Sequence, residues 1–147
     1  MGKDTAEVVR MNWFCLYSTI AGEFRALADL QSRKFIAYLP LATRIRTARG
    51  QRQEHKTPLL SRYLFICLSD FNRLGELLEI PTISEILPHE FEPIPVPAVE
   101  IGKLMQREAN GEFKFKETVT DRKRQRKILR RFEDLVILRK QEYVDAS

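Results

Sequence analysis

Four arginines, Arg44, Arg46, Arg49 and Arg52, stand in one short stretch of this 147-residue chain, and Tyr63 and Phe65 follow at strand spacing. Guanidinium groups on a loop neutralise phosphates, which gives affinity for a nucleic acid without reading its sequence. Alternate side chains of a strand share one face. In the run Tyr63-Leu64-Phe65-Ile66-Cys67-Leu68, Tyr63, Phe65 and Cys67 therefore face one way, and Leu64, Ile66 and Leu68 the other. One set can build a core; the second needs cover from a helix, a tail or another molecule. The chemistry on offer is binding, by a basic hairpin beside an apolar, ring-bearing surface.

Catalysis finds no support. His55 and His89 are isolated, with neither nucleophile nor metal-ligand spacing around them. The glycines form no phosphate-cradling loop, and Glu76, Glu79, Glu85 and Glu90 are spread like surface charge. No enzyme activity, no cofactor and no metal are expected. The net charge of +5 hides a strong asymmetry. Leu41 to Arg62 holds six basic residues against Glu54, and Lys114 to Arg131 holds nine against Glu117 and Asp121. Such clustering points to a polyanionic partner more strongly than the total does. Cys15 and Cys67 lie in apolar runs without metal spacing and read as buried, reduced thiols. No apolar run has the length of a membrane helix, and the amino terminus lacks a signal-like segment. These features suggest a soluble, cytoplasmic protein that does not engage a membrane.

The elements that would position these groups follow from periodicity and punctuation. Residues Met1 to Asn12 read as a disordered leader and Trp13 to Thr19 as a strand. Ala21 to Phe35 reads as a helix carrying Phe24, Leu27 and Leu30 at helical spacing. Ile36 to Leu41 is a strand, followed by a hairpin with its tip at Ala48-Arg49-Gly50-Gln51, where Gly50 supplies a positive φ. Tyr63 to Ser69 is the central strand. A short helix (Phe71 to Leu78) and a short strand (Ile83 to Leu87) follow. Pro97 opens a helix whose buried stripe is Ile101, Leu104 and Met105, stopped at Asn110-Gly111. Asp121 to Lys140 is a last helix, basic in its first half, with Ile128, Leu129, Phe132, Leu135 and Val136 on one stripe. The expected fold class is α+β, an antiparallel four-stranded sheet flanked by helices, ferredoxin-like, plus a C-terminal basic amphipathic helix. The divisions are 1–12 leader, 13–113 domain and 114–147 helical extension.

From about Trp13 to Phe113 the ordered series of motifs resembles the N-terminal (NGN) domain of the NusG/RfaH family of transcription elongation factors. The series comprises Trp13, Phe14 and Tyr17, then Leu39-Pro40, Arg49-Gly50-Gln51-Arg52, and Pro58-Leu59-Leu60-Ser61-Arg62-Tyr63-Leu64-Phe65-Ile66. Pro81-Thr82-Ile83-Ser84 and Pro95-Val96-Pro97 complete it. The resemblance implies binding to RNA polymerase, with an apolar patch gripping the β′ clamp helices and another side approaching the β gate loop and DNA of the transcription bubble. Bridging the cleft would suppress pausing, and the protein would associate with the nucleoid through polymerase. The polymerase-binding aromatics fall on Tyr17, Tyr63 and Phe65, with Leu59 and Leu60 as apolar neighbours. Arg25 is the one position carried over from those that read a recruitment DNA element. A competing reading makes the three rings plain core beneath a helix. Another makes the chain an RNA-binding module that uses its sheet aromatics and basic hairpin.

Departures from the family pattern qualify these implications. The Pro-Gly or Pro-Asn pair before the tyrosine is Ser61-Arg62, the turn glycine is Thr82, and the gate-loop segment is Arg73-Leu74-Gly75. The valine-rich pattern of the KOW barrel is absent after Gly111, so Rho recruitment and ribosome coupling are not implied. For the basic helix that stands there, three roles compete. It binds nucleic acid through Arg122, Lys123, Arg124, Arg126, Lys127, Arg130 and Arg131; or it self-associates through Ile128, Phe132 and Leu135; or it folds onto the Tyr63/Phe65 patch and masks it from polymerase. Alongside it, Arg44, Arg46, Arg49 and Arg52 are expected to lie along DNA.

Overall fold

Strand β5 (Tyr63–Leu68) is apolar on both faces, and in the computed structural model each face heads its own core. The structure describes residues 12–69, 72–87 and 93–146, with side chains described as far as residue 134. The leader, His89, and the side chains of Leu135 and Val136 lie outside the described residues.

Strands β1 (Asn12–Ser18), β2 (Ile36–Tyr38), β5 and β6 (Ile83–Ile86) form the four-stranded sheet in the order β2-β5-β1-β6. Every neighbouring pair is antiparallel. Helix α1 (Glu23–Ser32) covers the face that carries Phe14, Leu16, Leu64, Ile66 and Leu68, contributing Ala26 and Leu30. The buried positions of α1 are Glu23, Ala26 and Leu30, at i, i+3 and i+7. Phe24 is 47% exposed, so the stripe is centred one residue away from the one expected. The short helix α2 (Leu74–Leu78) adds Leu77 to the same core.

The opposite face of the sheet carries Cys15 and Phe65 and is covered by α3 (Ala98–Ala109) and α4 (Val119–Ala146). On α3, Ile101 is buried and Leu104 partly buried, whereas Met105 is 39% exposed. At 3.6 residues per turn, Ile101, Leu104 and Glu108 share a narrow arc and Met105 lies at its edge. Glu108 uses that place as an acceptor, taking the Tyr38 hydroxyl at 2.8 Å and the Leu41 N–H at 3.0 Å.

A second, three-stranded sheet was not expected. Its order is β4-β3-β7, with β3 (Leu41–Ala48) and β4 (Gln51–Pro58) forming the hairpin. Strand β7 (Lys114–Lys116) pairs in parallel with β3, Arg44 opposite Phe115. The hairpin tip places Arg49 at φ 53° and Gly50 at φ 75°, the two positive values that a two-residue turn matching strand twist requires. Phe113 and Phe115 are both buried in the second core, so the boundary drawn after Phe113 falls before a core residue. The alternation Phe113-Lys114-Phe115-Lys116 carried the strand signal.

Helix α4 begins earlier than Asp121 because Thr118 caps it: its Oγ1 accepts the Asp121 N–H at 3.1 Å. The Asp121 carboxylate reaches back to the Lys116 N–H at 2.6 Å, a variant of the reciprocal box that opens many helices.

Candidate functional site

The ring-bearing face is assembled by cross-strand register. Tyr17 on β1 stands opposite Tyr63 on β5, and their ring centroids are 5.2 Å apart. Tyr38 on β2 stands opposite Phe65 and stacks on it at 6.2 Å. The structure thus brings Tyr17, Tyr63 and Phe65 onto one face of the sheet. It does not leave that face open.

Phe132 of α4 sits edge-on to both rings, 5.8 Å from Tyr63 and 5.2 Å from Phe65. Phe65 is fully buried, while Tyr17 and Tyr63 remain half-buried. Ile128 and Leu129 pack beside Phe132 against the same cluster. Polar contacts fix the helix along its length: Gln125 Nε2 donates to the Leu59 carbonyl at 3.3 Å, and the Tyr63 hydroxyl to Glu133 Oε2 at 3.3 Å. Burial, with the Glu133 carboxylate beside it, pushes the Tyr63 phenol above its ordinary range. Leu59 and Leu60 are sealed in the second core, which corrects their expected place as surface neighbours of the patch. Their turn precedes the patch in sequence, but it folds inward beneath Gln125 instead of joining the surface.

The predicted basic residues divide into several groups. Arg49 and Arg52 are exposed at the hairpin tip, Arg52 paired with Glu54 at 3.0 Å. Arg46 pairs with Glu117 at 2.7 Å. That hydrogen bond, with the charges of Arg46, Arg122 and Arg44, holds the Glu117 carboxyl below the usual carboxylate range. Arg122, Lys123, Arg126 and Lys127 lie on the solvent side of α4, exposed or partly so. Arg124 is not part of that outer face. It lies 4.3 Å over the Phe115 ring and donates to the carbonyls of Glu112 and Lys114 at 2.8 and 2.6 Å. Arg25 is exposed on α1, across the sheet from α4, and does not join the basic group.

The buried thiols Cys15 and Cys67 are free, and burial pushes the Cys15 thiol up. Among the described residues no group of His, Cys, Asp and Glu could hold a metal, and no helix is long and apolar enough to cross a membrane.

The family model described as transcription termination factor nusG matches residues 11–105, more than half of the chain. The chain belongs to the NusG family. That family is one of non-enzymatic transcription factors. A solved structure described as domain interaction in Thermotoga maritima NusG is similar at 12% identity, with a TM-score of 0.45. The similarity covers 65% of this chain and 56% of that one, so it spans little more than half of that chain's length. No curated protein matches.

Against the NusG pattern, Arg62 is the most informative departure. It occupies the place of the family's glycine or asparagine at φ 73°, a region that costs most residues about 1–2 kcal/mol. Three contacts offset that strain. Its N–H donates to Glu23 Oε2 at 3.1 Å, its Nε to the Ser18 carbonyl at 2.9 Å, and its guanidinium covers the Tyr17 ring at 3.8 Å. In the segment that aligns with the NusG gate-loop contact, Arg73 is held internally. It stacks on Phe35 at 3.6 Å and bonds Glu76 and the Arg33 carbonyl.

Residue-level reading missed Arg62 as a cover for Tyr17, Glu133 as a partner of Tyr63, and Gln125 as a tie to the Leu59 turn. The first was signalled by a charged side chain where the turn wants glycine. The second and third carried no sequence signal, because polar residues on a helix give no indication of what they face.

Proposed function

We propose that this protein is a transcription elongation and antitermination factor that docks on the β′ clamp helices of RNA polymerase through Tyr17, Tyr63 and Phe65. In that position it suppresses pausing by bridging the cleft near upstream DNA, and α4 masks the docking face in the free protein. The observation that carries this reading is the seat of Phe132 on both Tyr63 and Phe65. Soluble proteins rarely expose so large an apolar patch, and aromatic patches are frequent carriers of interface energy. Here the cover lies on α4 (Val119–Ala146), whereas the NusG-matched segment ends at residue 105. Patch and cover are therefore separable along the chain. Masking is favoured over self-association, since Ile128 and Phe132 are already engaged within the protein. Arg73 is not assigned to the gate loop, because its guanidinium is bound internally.

The decisive test uses an isolated β′ clamp-helix fragment and a chain carrying Phe132→Asp to lift the mask. Adding Tyr17→Ala and Tyr63→Ala to that chain should abolish capture of the fragment while leaving the fold intact by circular dichroism. Undiminished capture would remove this face from the mechanism. If Tyr63→Ala instead abolishes binding of a single-stranded RNA and spares the fragment, the sheet is an RNA-stacking platform.

The basic hairpin makes the nucleic-acid contact in this proposal. Arg49→Glu with Arg52→Glu should weaken binding to duplex DNA. The log–log salt dependence should flatten by about one unit for each phosphate that is no longer neutralised. An unaltered affinity at low salt would exclude the tip from the contact.

A further inference from the structure

The hairpin and the tail helix are close to one another, and like charges meet where they join. Arg44 and Arg124 approach the same Phe115 ring, at 5.9 and 4.3 Å, from β3 and α4 respectively. The depressed Glu117 carboxyl feels Arg46 and Arg44 of the hairpin together with Arg122 of the helix. A cleft between the two elements is lined by Arg44, Thr57, Gln125, Arg122 and Arg126. Thr57 Oγ1 is a buried hydroxyl with no hydrogen-bond partner among the described residues. Glu23, the carboxylate on the cleft, is turned to the Arg62 N–H. Along α4 the cationic surface continues from this cleft through Lys123, Arg126, Lys127 and Arg130, which line a shallow concavity of their own.

We infer that the hairpin and the basic first half of α4 form one phosphodiester-binding surface, and that a nucleic-acid backbone laid across it pins α4 over the aromatic patch. The inference rests on the nucleic-acid reading of the hairpin given above and adds what α4 contributes and what binding does to it. Guanidinium groups crowded together repel one another, and a chain of phosphates relieves that repulsion only where both groups are within its reach. With α4 seated, Arg44 and Arg122 line one cleft. With α4 swung away, the helical cations leave the hairpin. A polyanion that touches both elements thus binds the seated form more tightly, and by linkage it stabilises that form. The direction matters: polyanion and polymerase act in opposition on α4. Nucleic acid holds the mask down, and a clamp surface must displace it.

The test is amide hydrogen exchange of α4 in the full chain at low salt. It is run alone, with a short DNA duplex, and with a single-stranded RNA, binding being followed in parallel by fluorescence anisotropy. At polyanion concentrations about tenfold above Kd, exchange across Gln125 to Glu133 should slow by about tenfold. The arm that gives the larger protection identifies the natural backbone. Arg44→Glu and Arg122→Glu/Arg126→Glu should each weaken binding, and their combination should cost less than the sum, as for groups on one ligand. Bound polyanion with unchanged or faster α4 exchange overturns the pinning, as do strictly additive substitutions for the single surface. Neither result touches the polymerase reading, which stands or falls on capture of the clamp fragment.

Discussion

Phe132→Asp should raise the affinity of the full chain for a clamp-helix fragment by about tenfold or more. The apparent affinity of a masked surface is its intrinsic affinity scaled by the open fraction. Removing a buried phenylalanine typically costs about 3–5 kcal/mol, and an aspartate placed against Tyr63 and Phe65 adds the cost of a charge among rings. Phe132 is only 7% exposed and makes edge contacts to two aromatics, each worth about 0.5–1.5 kcal/mol beyond area. The seated state should therefore lose most of its advantage while the sheet and the first core stay intact. Surface plasmon resonance with immobilised fragment measures the effect. An affinity equal to that of the unaltered chain would mean that α4 is no barrier, and the masking half of the proposal would be wrong. Deleting the helix is a companion experiment, but the cut belongs after Glu117. A cut after Phe113 would remove Phe115, which is 1% exposed in the second core.

The second large effect falls on stability. Phe65→Ala should lower the free energy of unfolding by about 3–5 kcal/mol, the usual range for a buried aromatic truncated to alanine. Phe65 is fully buried, stacked on Tyr38 and met edge-on by Phe132, so no neighbour is placed to fill the void. Urea denaturation followed through Trp13, which packs on the same cluster, measures it. A change under about 1 kcal/mol would mean the site collapses freely, against the packing described. The result also governs experimental design. Weaker polymerase binding in Phe65→Ala would mix misfolding with removal of a docking ring, whereas the half-buried Tyr17 and Tyr63 can be trimmed with less damage.

Much of this arrangement could be read from the residues. The two-sided apolar strand at Tyr63–Leu68 dictated two covers, and the structure supplies them as α1 on one side and α3 with α4 on the other. Gly50 announced the hairpin tip, and Asn110-Gly111 the stop of α3, with Gly111 at φ 76°. Other features depended on partners remote in sequence. Met105 looked buried because a stripe drawn through apolar residues ignores Glu108, whose acceptor role places it inward beside Tyr38. Phe24 looked buried for the same reason, while the buried polar position of α1 is Glu23, held by the Arg62 turn. Strand β7 was short enough to be passed over, and a parallel pairing to β3 leaves no local trace. The basic count of α4 was plain; that Arg124 folds inward over Phe115 was not, since nothing in a run of cations marks which one will cover a ring.

The capped start of α4 turns that helix into a long arm on a short pivot. Thr118 and Asp121 fasten its root beside β7, and Phe132 lies fourteen residues beyond Thr118, about 21 Å away at a rise of 1.5 Å per residue. A swing of only about 10° at the root would carry the Phe132 ring nearly 4 Å sideways, comparable to a whole van der Waals contact distance of about 3.5–4.0 Å. Uncovering therefore demands neither melting of the helix nor refolding of the tail, and it can proceed as fast as a rigid rod tilts.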